Sequence, residues 1–89
     1  MMNVVKRKGH IEKFDERKVY ASCYAACMTS GLHENGCEII SSKVSSEIKK
    51  WVIEKKRVTS KQIFKKVVSH LKKAHKPAAF MYETHMDVS

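Results

Sequence analysis

The sequence predicts an α+β domain in which a small three-stranded sheet, built on a β-hairpin, caps a four-helix bundle. Three observations predict it. Short apolar-polar runs flank Gly9 near the N-terminus, and four later stretches repeat apolar residues at helical spacing. Between the second and third of these, Arg57-Val58 leaves room for a minimal third strand beside the hairpin. At 89 residues the chain is long enough for one core and too short for two, so residues 1–89 are read as a single domain.

The hairpin comes first. Val4 to Lys6 and Ile11 to Phe14 are the strand candidates, and Gly9 tolerates the positive φ of the turn between them. Asp15 then suits an N-cap, accepting from the free N–H groups of a helix that starts at Glu16. That first helix is expected to run to about Ser30 and stop at Gly31, an αL C-cap. Its middle, Ala21 to Met28, is apolar almost all round, which predicts a central helix packed on several sides.

After a loop over Leu32 to Gly36, Cys37, Ile40, Val44, Ile48, Trp51 and Val52 recur every three or four residues and define a second helix. Trp51 on that stripe is read as a core anchor rather than a stacking platform. Thr59-Ser60-Lys61-Gln62 fits a capping box and opens a third helix, buried through Ile63, Phe64, Val67, Val68 and Leu71. Pro77 suits the first turn of a fourth helix running to Met86, with the last three residues fraying. The lysine doublets at 49–50, 55–56, 65–66 and 72–73 supply wet faces for these helices.

Composition narrows the function. A net charge of +9 implies an anionic partner: nucleic acid, nucleotide phosphates or an acidic protein surface. No apolar run reaches membrane-spanning length, and the basic N-terminus lacks a signal peptide's apolar core, so a soluble cytoplasmic protein is expected with no membrane partner. Cys23, Cys27 and Cys37 form no CxxC pair and no zinc spacing; reduced core thiols are the expectation, with zinc binding or redox sensing the minor alternatives. There is no Ser-His-Asp order, no HExxH, no Walker loop and no GxGxxG, so catalysis is not expected.

The N-terminal stretch carries more than a hairpin. Val5, Lys6-Arg7, Lys8-Gly9, Glu12, Phe14, Asp15 and Lys18-Val19 form an ordered set that resembles the opening of the ATP-cone domain. That domain is the adenine-nucleotide sensor at the N-termini of ribonucleotide reductases and in their transcriptional repressor. The order hairpin, two helices, short strand, two helices is also the family's, and Ala79 three before Tyr82 looks like its fourth helix. The resemblance implies polyphosphate and ribose contacts at Lys6, Arg7 and Lys18, and adenine-amine acceptors at Glu12 and Asp15. It implies apolar walls at Phe14 and Val19, with Thr59 and Phe64 closing the site. The ligand implied is ATP or dATP as an effector, with Mg2+ admissible beside the phosphates.

Each of these residues also has a plainer reading. Lys6 and Arg7 can be an edge-strand charge pair, Glu12 a cross-strand partner for Lys6, and Asp15 and Thr59 simple caps. The set departs from the family where Tyr82-Glu83-Thr84-His85-Met86 lacks the usual arginine, where Phe64 replaces a frequent His or Gln, and where Lys8 replaces Asp or Asn. Neither a reductase body nor a zinc ribbon appears in these residues. The expectation is therefore a free-standing regulatory module that binds adenine nucleotide and changes its oligomeric state or its docking to a reductase or a DNA-bound regulator. The alternative is a small basic nucleic-acid-binding protein on the same scaffold.

Overall fold

The computed structural model describes residues 3–5 and 11–85. Its elements follow in the order β1 (Asn3–Val5), β2 (Ile11–Lys13), α1 (Glu16–Thr29), α2 (Glu34–Lys55), β3 (Arg57–Thr59), α3 (Ser60–Ala74) and α4 (Lys76–His85). The Gly9 turn and the chain end after His85 lie outside the described residues.

This corrects the expected fold class. The helices are 14, 22, 15 and 10 residues long, whereas each strand has three. Among the described residues the fold is mainly helical, and its three strands are too short to form a layer that caps the bundle. Three-residue strands place only one or two side chains on a face, too few to cover a helical layer. Of the described strand side chains only Val58 enters the core. What the strands contribute is alignment: β1 pairs antiparallel with β2 and parallel with β3, in the order β2-β1-β3.

The core lies among the helices. α1 runs against α2 and α4, and α3 against α4 and α2. Ile48, Leu71, Val44, Val52, Val67, Cys23, Cys27 and Cys37 are all but sealed from solvent. The expected stripe of α2 faces inward at Cys37, Val44, Ile48 and Val52, with Ile40 and Trp51 half-buried against it. Two buried serines, Ser41 and Ser45, share that face; Ser45 donates to the Ser42 carbonyl, while the Ser41 hydroxyl has no partner.

Helix ends follow local chemistry, with two differences from the sequence reading. Gly31 takes a φ of +92°, and the N–H groups of Gly31 and Leu32 return to the carbonyls of Met28 and Cys27, a Schellman closure. α2 begins three residues earlier than its apolar stripe suggests, at Glu34 behind an extended His33. Leu32 folds over its first turn, and a Cβ on Gly36 would stand 3.0 Å from Leu32 Cγ, so this glycine admits the leucine. The second difference is α1, which buries only Val19, Cys23, Ala26 and Cys27 and leaves Ala21, Ala25 and Met28 exposed. It packs on one face rather than on all sides. Lys56, at a left-handed φ of 66°, turns α2 into β3.

Candidate functional site

Strand register decides which candidate residues meet. Val5 pairs with Ile11 on one side and Thr59 on the other, so these three form one end of the strand unit. Asn3 with Lys13 and Arg57 forms the other end, about 7 Å away at 3.3 Å per residue. α3 leaves from the first end and α1 begins just past the second. Lys6 and Arg7 lie outside the described residues; Val5, the last described residue before them in sequence, pairs with Thr59. Glu12 is placed by its backbone alone, opposite Val4.

Thr59 is the N-cap of α3. Its hydroxyl oxygen accepts from the Gln62 backbone N–H at 3.0 Å, and the Gln62 side-chain oxygen accepts from Thr59 N–H at 2.9 Å, completing the expected capping box. The hydroxyl proton remains to be donated to an acceptor such as a phosphate or ribose oxygen. No acidic residue occupies the first turn of α3, so the positive end of its dipole is not offset there. Anions are favoured at such an end.

Asp15 caps α1 as expected, and it also holds a residue that the sequence reading left unassigned. Its Oδ1 accepts from Arg17 N at 2.9 Å and from Arg17 Nε at 3.2 Å, while Oδ2 accepts from Nη2 at 3.3 Å. The Arg17 side-chain hydrogen bond, and then its backbone N–H, hold the Asp15 carboxyl below its ordinary range. An adenine amine approaching Asp15 therefore meets a carboxylate already engaged by a guanidinium. The available signal was the Asp-x-Arg spacing at a helix start, which helix-face pairing rules do not flag. Lys18 stands exposed one residue further along α1.

The apolar candidates divide. Val19 is 7% exposed and belongs to the core itself. Phe14 and Phe64 are half-buried and pack on the same apolar cluster, where either can still present an edge to a ligand. Phe64 lies with its ring centroid 5.3 Å from that of Tyr82, and burial pushes the Tyr82 phenol well above its ordinary range.

Two open hollows lie elsewhere. One of about 280 Å³ between α1 and α2 is lined by Glu16, Arg17, Tyr20, Ser42 and Ser45, and a shallower one of about 630 Å³ runs along α2 at Glu38, Ile39, Ser42, Lys43 and Ser46. Neither is lined by any of the expected site residues.

Other chemistries find little support among the described residues. No group of three or more His, Cys, Asp or Glu side chains is arranged to hold a metal ion. Burial, helped by Cys27, pushes the Cys23 thiol up to about 12; burial, helped by Cys37, pushes Cys27 up to about 11. Such thiols are poor nucleophiles and poor ligands. No described helix is long and apolar enough to cross a membrane.

Comparison with known proteins agrees with the resemblance, which runs from the N-terminal set to the fourth helix. The family model described as the ATP cone domain matches residues 2–83. No curated protein matches the chain.

Proposed function

Since this chain belongs to the ATP cone domain family, a family of nucleotide-binding regulatory domains without catalysis of their own, we propose that it binds ATP or dATP and converts occupancy into a change of oligomeric or partner contacts. Lys6, Arg7 and Lys18 take the polyphosphate and ribose, with Mg2+ accompanying the phosphates. Glu12 and Asp15 accept from the adenine amine, Phe14 and Val19 supply apolar wall, and Thr59 with Phe64 closes the site from α3. A carboxylate accepting from an exocyclic amine favours adenine, because guanine presents a carbonyl acceptor at that position.

One observation carries this reading: the parallel register of β1 on β3, which sets Thr59 and the acid-free start of α3 beside the strand leading into Lys6-Arg7. A planar guanidinium, an ammonium, a hydroxyl proton and a helix N-terminus are the donor types that a triphosphate recruits. The two ends of the strand unit are closer together than the two ends of a nucleoside triphosphate, so a single ligand can touch both. Binding shifts a regulatory equilibrium only by the difference in affinity between the two states. A distinction between ATP and dATP rests on contacts near the ribose, at Lys18 and Thr59.

Thermal melting with ATP, dATP and GTP, with and without Mg2+, tests the proposal. At about a hundred times its dissociation constant a ligand adds roughly 2.7 kcal/mol of stability. ATP or dATP should give that gain and GTP should not. Replacing Lys6 and Arg7 together by Ala should remove the gain while the apo chain still melts cooperatively. Unchanged ATP stabilisation in that variant would overturn the site, and equal stabilisation by GTP would overturn the adenine assignment.

A further inference from the structure

We infer that the exposed face of α3 is a docking surface for the phosphate backbone of duplex DNA, a role distinct from that of the nucleotide site at the start of the same helix. The charge distribution points there first. Eleven of the eighteen Lys and Arg residues fall between Lys49 and Lys76, a stretch with Glu54 as its only acid. α3 itself holds Lys61, Lys65, Lys66, Lys72 and Lys73 and no acidic residue. Among the described residues none of these lysines makes an ion pair; the ion pairs there are Arg17 with Asp15 and Lys49 with Glu16, and the His70 ring stands 3.3 Å from Glu47. Lys66 differs from the rest, sitting 5.5 Å over the half-buried Trp51 ring.

Geometry turns that charge into a track. At about 100° per residue, Lys61, Lys65 and Lys72 project within about 40° of one another, and at 1.5 Å per residue they span roughly 16 Å. Lys73 stands at the edge of the same face. All four are exposed, as are Gln62 and Ser69 between them. Duplex DNA carries one negative charge per about 1.7 Å of axis, so a row of this length meets several phosphates.

The character of the face selects the occupant. The large apolar side chains that stand exposed among the described residues are Met28, Ile39, Ile53 and Phe80, and none is on α3. A protein partner would want an apolar or aromatic anchor at the centre of its interface. A single strand would want exposed aromatic rings on which to stack bases, and α3 exposes none. A duplex needs neither. It offers outward phosphates to lysines and asks for no base contact.

Fluorescence anisotropy with a labelled duplex, a single strand of equal length and poly-glutamate, each across a salt series, tests this. With a log–log salt slope of about −0.9 per neutralised phosphate, four contacts predict roughly a hundredfold loss of duplex affinity between 50 and 200 mM salt. Lys65→Gln with Lys72→Gln should flatten that slope by about 1.8, whereas Lys13→Gln with Lys43→Gln, of equal charge change, should leave it nearly as it was. ATP stabilisation should persist in the Lys65/Lys72 variant, and duplex binding should persist in the Lys6/Arg7 variant, so either reading can fail alone. Equal effects of the two lysine pairs, tighter binding of the single strand, or poly-glutamate binding as tightly as duplex would each overturn the assignment.

Discussion

Thr59 is both the cap of α3 and a proposed ligand contact, and replacing it by Asp separates the two roles. The cap consists of the Gln62 N–H donated to Thr59 Oγ1 at 3.0 Å, with the reciprocal bond at 2.9 Å. Thr59→Ala removes the acceptor and should cost about 1 kcal/mol, within a range of 0.5–2. In a chain of this size that lowers Tm by roughly 4–8 °C. Thr59→Asp keeps an acceptor at the cap and adds a charge favoured by the helix dipole, about 0.3–1 kcal/mol. Its apo stability should therefore equal or exceed that of the unmodified chain. Binding should go the other way. A carboxylate about 5 Å from one phosphate charge, at an effective dielectric near 20, opposes it by about 3 kcal/mol, more than a hundredfold in affinity. Paired melts and calorimetric titration with ATP read both quantities on the same sample. A Thr59→Asp chain that is stable and binds ATP as tightly as before would refute the reasoning, leaving Thr59 as a cap alone.

Three further outcomes follow from the same geometry. Gly31→Ala meets no atom within 4 Å but must hold a φ of +92°, so urea denaturation should show a loss of about 1–2 kcal/mol from backbone strain alone, and an unchanged midpoint would contradict the αL closure. Asp15 has a folded pKa below its unfolded one, chiefly through the Arg17 hydrogen bonds, so its contribution is present above the unfolded value near 3.8 and is lost as pH falls through the folded value. Carbon-detected NMR titration should find the Asp15 midpoint rising in Arg17→Ala, and Asp15→Asn should flatten the acid end of the stability profile; an unmoved midpoint would remove Arg17 as the cause. Cys23 and Cys27, pushed up to about 12 and about 11, are almost wholly protonated at pH 8 and sealed in the core, so a thiol reagent should label them only on unfolding, and rapid labelling of the native chain would contradict the packing.

Much of the bundle was legible because local chemistry and burial point the same way. The Thr59–Gln62 box, the Asp15 cap, the Gly31 closure and the α2 stripe each combine a terminus signal with a spacing. Legibility failed where a tertiary contact overrides a local preference. Asn35 and Gly36 look like loop residues, yet Leu32 packs over Gly36 and α2 starts ahead of both. The apolar run of α1 hides its open side, because exposed alanines carry no polar mark. Strand character was visible around Val4, Ile11 and Val58, but not that each strand would stop at three residues and leave the fold mainly helical. For the candidate site, the motif supplied the proposed residues, whereas the pairing of Val5 with Thr59 is a tertiary fact. So is the engagement of the Asp15 carboxylate by the Arg17 side chain.

The shortness of the strands bears on how a nucleotide signal could leave the site. A two-stranded ribbon is marginal in water, and a third strand of three residues adds little to it. The bundle, in contrast, is closed by Ile48, Leu71, Val44, Val52 and Val67, all nearly sealed from solvent. Local opening energies in one protein run from near zero up to the global value, so the strand unit belongs at the low end and the bundle at the high end. A ligand bridging the β1–β2 connection and the start of α3 would add its binding energy to the weaker of the two. The bundle has little left to gain. The surface that changes on binding would then be the one the strand unit shares with the first turns of α1 and α3, rather than the sealed interior of the bundle.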